Sequence, residues 1–287
     1  MNISDRCARE VTVDAQRGLH TGIADRGHIN AGSPATLFDR YPIDLPDLIR
    51  QIWTVRYSVP TGVLRQRVLG YPAVNVVFEP TVAALYGPEQ RVGVRELQGD
   101  GWAVGILFRP AATPLLTPTP AAGLIGAEEA ITLDGHMAVA TAVAQVMSRP
   151  SDPVADRSEI SAIMRSWLAP LVDRLTDAGH LANLACQVAE TRDDIVQTSA
   201  LADELHTSTR TVERVIREHT GFSPKWLIEC RRMQRAATTL HAHPDTALAP
   251  LAADLGFADH AHFSRRYRSI IGETPDETRR AGRAAGA

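Results

Sequence analysis

The chain has 287 residues, of which 44% are hydrophobic and 22% charged, and its formal net charge is −3. This composition is ordinary for a globular protein and gives room for about two domains. It excludes a membrane-spanning chain, because no apolar run approaches the ~20 residues that cross a bilayer, and it predicts a cytoplasmic protein. Cys7, Cys186 and Cys230 lie far apart, which predicts free, mostly buried thiols.

The first half of the chain has the pattern of a β-rich domain. Residues 1–35 show no sustained hydrophobic period and are predicted to be irregular. Beyond them, segments rich in β-branched and aromatic residues alternate with turn sequences, which predicts an antiparallel sheet or barrel. The predicted strands are Ile52–Val59, Ala73–Glu79, Arg91–Leu97 and Trp102–Phe108. The turn sequences are Pro60-Thr61-Gly62, Gly87-Pro88 and Gly99-Asp100-Gly101.

After the proline-rich stretch 110–120, apolar residues recur at helical spacing in two segments. The first stripe comprises Met137, Ala140, Ala144 and Met147, and the second comprises Ile160, Met164, Trp167, Leu168 and Leu171. These helices are predicted to cover the sheet or to form a homodimer face, with a ligand wall or an interdomain contact as the alternative. The polar segment Arg149–Arg157 between them is predicted to be a loop or hinge.

The last third of the chain carries a basic excess and an internal repeat. From residue 195 onward there are 13 Lys and Arg against 11 Asp and Glu, whereas the remainder has 17 against 22. Leu201-Ala202-x-x-Leu205 recurs as Leu251-Ala252-x-x-Leu255 at an offset of 50. Further matches follow at an offset of 51: Ser208 with Asp259, Val212 with Phe263, Arg214 with Arg265, Gly221 with Gly272, and Pro224 with Pro275. The sequence therefore predicts one structural unit built twice.

Each copy has the signals of a helix, a turn and a second helix. Ser208 and Asp259 are the predicted N-caps of the second helices, and Gly221 and Gly272 are the left-handed residues that end them. Between the copies, Lys225–Leu240 contains no Gly or Pro and predicts one continuous helix of ~24 Å. Such a helix would hold the two units at a fixed separation, and adjacent major grooves on one face of DNA lie ~34 Å apart.

These residues resemble the DNA-binding domain of the AraC/XylS family over about the last ninety residues. The resemblance rests on both helix-turn-helix units and on the motifs Gly221-Phe222-Ser223-Pro224, Arg232-Met233-x-x-Ala236, Leu255-Gly256-Phe257, Phe263-Ser264-Arg265-Arg266-Tyr267 and Gly272-x-Thr274-Pro275. It implies a transcription factor that binds double-stranded promoter DNA and has RNA polymerase as a further partner. It also implies that exposed residues early in each recognition helix face base edges. By position these are Thr209, Arg210, Glu213 and Arg214 in the first unit, and His260, Ala261, His262 and Arg265 in the second.

Several positions depart from the family pattern or leave alternatives open. Pro250 stands where the family usually has a helix former, and it fits if the helix begins close to it. Glu213 either accepts from cytosine or pairs with Arg210 or Arg217 on the helix surface. Arg217 and Arg268 either contact phosphate or lie on solvated helix faces.

The N-terminal half resembles the cupin-like regulatory domains that precede this DNA-binding domain in many family members, around Trp53-Thr54-Val55-Arg56 and Phe108-Arg109-Pro110. Such domains bind a small effector or dimerise. Five aromatic residues are candidates for an effector cavity, with packing in the core as the alternative: Trp53, Tyr57, Phe78, Trp102 and Phe108. The predicted fold class is α+β, with a cupin-like β domain and covering helices over 36–175 and an all-α double helix-turn-helix domain over 176–287.

An enzyme and a protein-interaction module are the rival classes. Before residue 137 the only histidines are His20, His28 and His136, which form no His-x-His metal site, so no catalysis, metal or cofactor is expected. His241-x-His243 and His260-x-His262 have metal-like spacing, but side chains two residues apart on a helix diverge by ~200°. Helices that bind another protein are the remaining alternative to DNA binding.

Overall fold

A computed structural model describes residues 35–68, 71–90 and 93–285. The predicted irregular segment 1–35, with Cys7, His20 and His28, lies outside the described residues apart from Ala35. Within the described ranges, a sheet with covering helices is followed by an all-helical region, which confirms the predicted α+β class. No helix in these ranges is both long enough and apolar enough to cross a membrane.

The described strands form one antiparallel sheet in the order β1-β2-β5-β3-β4-β6. The strands are β1 (Thr36–Tyr41), β2 (Ile49–Val68), β3 (Asn75–Phe78), β4 (Ala83–Tyr86), β5 (Gly93–Phe108) and β6 (Glu128–Ala130). The two long strands β2 and β5 pair along most of their length. They provide the frame on which the shorter strands are arranged.

Two of the predicted turns are wrong, because both sequences lie inside long strands. Pro60-Thr61-Gly62 lies within β2, and Gly99-Asp100-Gly101 lies within β5, which joins two predicted strands into one. The two sequences lie close to each other in the β2–β5 pair, where the register shifts between the pairs Val59–Gly99 and Leu64–Leu97. The turn residues therefore form an irregularity in a continuous ribbon, as at a β-bulge.

The glycines of β5 make room for aromatic rings. A Cβ built at Gly101 would lie 2.3 Å from the Tyr57 hydroxyl oxygen, and one at Gly105 would lie 2.0 Å from the Trp53 ring. Both distances are far below van der Waals contact. Glycine within a strand often marks such a close approach, and here Gly101 and Gly105 let two rings of β2 lie close to the backbone of β5.

The helices follow the strands in chain order, with β6 between the first two. They are α1 (Thr113–Leu116), α2 (His136–Met147), α3 (Pro153–Leu168), α4 (Asp177–Thr191), α5 (Thr198–Glu204), α6 (Thr209–Thr220), α7 (Pro224–Ala242), α8 (Leu248–Asp254), α9 (His260–Ile271) and α10 (Pro275–Ala285). The segment Arg149–Arg157 is a loop only at its start. Asp152 caps α3 by accepting hydrogen bonds from Val154 and Ala155, so the second half of the predicted hinge is helical.

Helices α2 and α3 cover one face of the sheet. Ile160, Met164 and Leu168 are fully buried and share a core with Val104 and Ile106 of β5. The second predicted stripe therefore packs on the sheet, whereas the first is divided, with Met147 buried, Ala140 and Ala144 partly buried and Met137 68% exposed.

The C-terminal helices enclose two cores, one for each helix-turn-helix unit. Leu227 and Ile228 of α7 belong to the first core, whereas Met233 and Leu240 belong to the second. Trp226 packs against both. The same helix thus contributes to both cores, so the two units form one rigid domain and not two domains joined by a flexible linker.

Helix α4, which shares the first core, also packs on the N-terminal domain. The buried Asn183 side chain of α4 accepts a hydrogen bond from the Ala111 N–H at 2.9 Å and donates to the Asp47 carbonyl at 2.7 Å. Arg50 of β2 forms an ion pair with Glu190 of α4 at 2.7 Å. These polar contacts fix helix α4 against the β domain in a defined orientation.

Gly221 is a second point of contact between the β domain and the first unit. It adopts φ +77°, and a Cβ there would lie 2.6 Å from the Ala121 carbonyl oxygen. Gly272 ends α9 with φ +83° at the matching position and is exposed.

Gly221→Ala is expected to destabilise the protein by about 1–2 kcal/mol more than Gly272→Ala, because only the first adds an overpacking penalty to the backbone strain. Urea unfolding of both variants measures the difference, and equal losses would contradict the contact.

Candidate nucleic-acid interface

The first helix-turn-helix unit consists of α5, a turn, and the recognition helix α6. Ser208 Oγ caps α6 by accepting from the Thr211 N–H at 3.1 Å, and Gly221 ends the helix in the left-handed region. In the turn, His206 has φ +50°, where the second unit has Gly256 at φ +69°. The predicted caps and turn of this unit are confirmed.

Helix α6 has one buried face and one exposed face. Val212, Val215 and Ile216 are fully buried in the first core. The polar residues proposed to contact DNA are all exposed: Thr209, Arg210, Glu213, Arg214 and Arg217. Their exposure leaves these side chains available to a ligand as large as a DNA duplex.

The second unit repeats this plan with α8 and the recognition helix α9. Asp259 Oδ1 accepts from the His262 N–H at 2.6 Å, and this hydrogen bond lowers the pKa of Asp259. Pro250 is the third residue of α8, in the first turn, where its missing N–H breaks no helical bond, as predicted. Phe263 and Tyr267 fill the second core. The exposed residues of α9 include His260, Ala261, His262, Arg265 and Arg268.

Of the two alternatives for Glu213, the structure does not show the ion pair with Arg210 or Arg217. Among the described residues Glu213 forms no ion pair, and Arg214 instead pairs with Glu218 one turn later at 2.8 Å. Both partners of that pair are about half exposed, and such i,i+4 pairs contribute only about 0.3–0.5 kcal/mol. A bidentate contact to guanine discriminates by about 1–3 kcal/mol, so Arg214 can leave Glu218 for a base at little cost.

The five candidate effector residues lie on opposite faces of the sheet. Phe78, Trp102 and Phe108 are buried in the core beneath α2 and α3. Trp53 and Tyr57 lie on the other face and are half-buried. The five therefore cannot line one cavity, and the alternative of core packing holds for the first three.

Trp53 and Tyr57 belong to an aromatic patch on the uncovered side of the sheet, together with Phe38 and Tyr86. The Phe38 and Trp53 rings are stacked with centroids 6.4 Å apart and planes 20° apart. The Trp53 indole N–H donates to Asn75 Oδ1 at 3.3 Å, which fixes the plane of the ring. Phe38 and Tyr86 were missed because β1 and β4 were not predicted as strands, although alternation within each short segment was the available signal.

The described cysteines are thiols without disulfide partners. Cys186 and Cys230 are both buried, as predicted. Burial raises the pKa of Cys230 to about 12 and that of Cys186 well above its usual value, so neither is a thiolate at neutral pH. Across the described ranges, no group of three or more His, Cys, Asp or Glu side chains is placed to hold a metal ion.

Two family models match the chain. A helix-turn-helix domain model matches residues 201–281, which contain both recognition helices. A model described as a domain of unknown function (DUF6597) matches residues 42–128, within the β domain. The two matches fall on the two predicted regions separately.

Curated relatives match about a third of the chain. The HTH-type transcriptional activator RhaS of Escherichia fergusonii is 34% identical over 107 residues, which cover 37% of this chain and 38% of the relative. RhaS of Escherichia coli O157:H7 is 30% identical over 86 residues, or 30% of this chain and 31% of the relative. The chain thus spans less than two-fifths of the length of these relatives.

Solved structures give weaker similarities. The C-terminal domain of AraT, a response regulator from Geobacillus stearothermophilus, is 22% identical, with 37% of this chain and 88% of that chain covered and a TM-score of 0.32. ToxT from Vibrio cholerae O395 is 13% identical, with 87% and 98% covered and a TM-score of 0.36. Scores this low carry no functional argument. The helix-turn-helix match over residues 201–281 and the similarity to RhaS, together with the two capped units seen here, show an AraC-type helix-turn-helix domain in the C-terminal third of the chain.

Proposed function

We propose that the protein regulates transcription by binding promoter DNA with α6 and α9 in successive major grooves. One observation carries this proposal. Two recognition helices, each exposing a polar row and burying the opposite face, are joined by one continuous helix of 19 residues. At ~1.5 Å per residue this helix spans ~28 Å, a length comparable with the separation of adjacent grooves.

The exposed side chains divide into base-reading and phosphate-binding candidates. Arg210, Arg214 and Arg265 carry the planar donors that fit guanine edges. Because Glu213 has no ion-pair partner among the described residues, we assign it to a cytosine amino group. Four further α6 and α9 residues complete the base-reading candidates: Thr209, His260, Ala261 and His262. Arg217 and Arg268 lie further along their helices and are assigned to phosphates.

Salt dependence of DNA binding tests this function. If Arg217 and Arg268 neutralise two phosphates, affinity for selected genomic DNA should fall on the order of 10-fold between about 50 and 200 mM salt, because condensed counterions are released. Arg217→Gln and Arg268→Gln should each reduce the log–log slope by about 1. Filter binding or fluorescence anisotropy measures both. A flat salt response would favour the protein-interaction alternative.

The remaining assignments follow from the same proposal. The RhaS relatives are named transcriptional activators, and we assign activation, with RNA polymerase as the partner, to this chain as well. We further propose a cytoplasmic location, because the proposed ligand is promoter DNA. A homodimer through the N-terminal half stays a prediction, since the second stripe faces the sheet but Met137 of the first stripe is exposed.

We assign effector binding to the aromatic patch formed by Phe38, Trp53, Tyr57 and Tyr86. Its rings are half-exposed, and those of Phe38, Trp53 and Tyr86 pack against a small apolar cluster of Val55, Val77 and Ala103. Flat rings fixed against a sheet offer a preformed surface for an apolar face of a small molecule.

A compound screen tests the effector site. Compounds that raise the thermal midpoint of the full chain should bind Trp53→Ala about tenfold more weakly, because a ring contact and its buried area are lost. Trp167→Phe is the matched control, since Trp167 packs against Phe78 on the covered face. Equal weakening by both variants, or by neither, would reject the patch as the site.

A further inference from the structure

Helix α7 is held by two polar contacts to the C-terminal end of α4, the helix that shares the first core with α5 and α6. The Arg231 Nε–H donates to the Glu190 carbonyl oxygen at the end of α4 at 2.8 Å. Arg235 pairs with Asp193, just beyond α4, at 2.6 Å. These contacts are four residues apart on α7 and fix its direction relative to the first unit.

Two other α7 side chains reach the second unit. Glu229 forms an ion pair with Arg266 of α9, and the two side chains are 19% and 34% exposed. Arg232 places its guanidinium carbon 4.8 Å from the centre of the Phe257 ring, in the turn before α9. Solvent screens such half-buried contacts less than exposed ones, so they constrain the direction of α9 more strongly.

The internal repeat shows that the Glu229–Arg266 pair is not needed to fold a unit. At the offset of 51, Arg266 corresponds to Val215, which is buried in the first core. At the same offset Glu229 corresponds to Ala178 of α4, which packs against the first core, so the first unit has apolar residues at both positions of this pair. Apolar contacts are not directional, whereas a charge-assisted hydrogen bond fixes distance and angle.

We propose that Glu229 is a positioning residue that acts through Arg266 to set the orientation of α9 relative to α6, and thereby the half-site spacing that the protein accepts. This inference rests on the proposed function. With the pair intact, α9 can enter its groove at one spacing only. Without the pair, α9 can rotate about its apolar contacts with α7. The protein then binds half-sites that lie one base pair closer together or farther apart.

The test uses the full chain and DNA with two half-sites, with one base pair inserted or removed between them. The affinity of the wild type should be about tenfold lower for either altered DNA, a loss similar to that caused by one mismatched base pair. Glu229→Gln should lose less than about threefold, and the charge swap Glu229→Arg with Arg266→Glu should restore the tenfold loss. Asp276→Asn, which breaks the Arg279 pair within α10, is the matched control and should keep the wild-type loss.

Affinity for a single half-site bound by the first unit should be the same in Glu229→Gln and the wild type, which separates positioning from loss of folding. An unchanged spacing penalty in Glu229→Gln would overturn the inference while leaving DNA binding intact. Absence of DNA binding by the wild type would overturn the proposed function itself, so the two failures are distinguishable.

Discussion

Replacing Arg214 and Arg265 together by alanine is expected to weaken binding to a cognate site by about 2–6 kcal/mol, with about 1–3 kcal/mol from each. The two arginines occupy matching positions of separate units and share no partner, so their effects should add. Arg214 gives up its pair with Glu218 on binding, which reduces its net contribution by about 0.3–0.5 kcal/mol. Arg265→Ala should therefore cost slightly more than Arg214→Ala.

Competition binding with base-substituted sites measures both the affinity and the specificity of these variants. Each variant should lose preference at one base pair while its unfolding midpoint stays at the wild-type value, since both side chains are exposed. Arg165→Ala is the matched control, because Arg165 is an exposed arginine on α3 of the N-terminal domain. Sequence preference retained in both recognition-helix variants would contradict the assignment of these arginines to base edges.

The helical domain was predictable from sequence because its signals are local. Ser208 and Asp259 cap their helices, and Gly221 and Gly272 end them, through contacts within four residues along the chain. The linker helix was predicted as Lys225–Leu240 and extends from Pro224 to Ala242. Local rules suffice where a helix end and its partner are neighbours in sequence.

The β domain was predicted less well because the bounds and faces of its strands depend on pairing between residues far apart in sequence. Gly99-Asp100-Gly101 has the composition of a turn. In the structure, however, Gly101 makes room for the Tyr57 ring, and Gly99 lies opposite Val59 where the register shifts. Local propensity cannot distinguish a turn from a strand glycine that accommodates a ring on the neighbouring strand. The same limit explains why five aromatic residues were grouped although they occupy two faces.

Ion pairs of the candidate interface also depend on three-dimensional placement. Sequence spacing allowed Glu213 to pair with Arg210 or Arg217, yet the pair in α6 joins Arg214 and Glu218. Glu229 and Arg266 lie 37 residues apart, and no sequence pattern links them. Only the packing of α9 on α7 shows that they meet.

Insertion of half a helical turn, about 5 base pairs, between the two half-sites tests the central account most directly. The account predicts that affinity falls on the order of 100-fold, to that of one half-site, because α7 holds both recognition helices toward one face of the duplex. Hydroxyl-radical footprinting should then show one protected half-site instead of two. Full affinity with both half-sites still protected would show that the two helices are not held at a fixed separation, and would contradict the account.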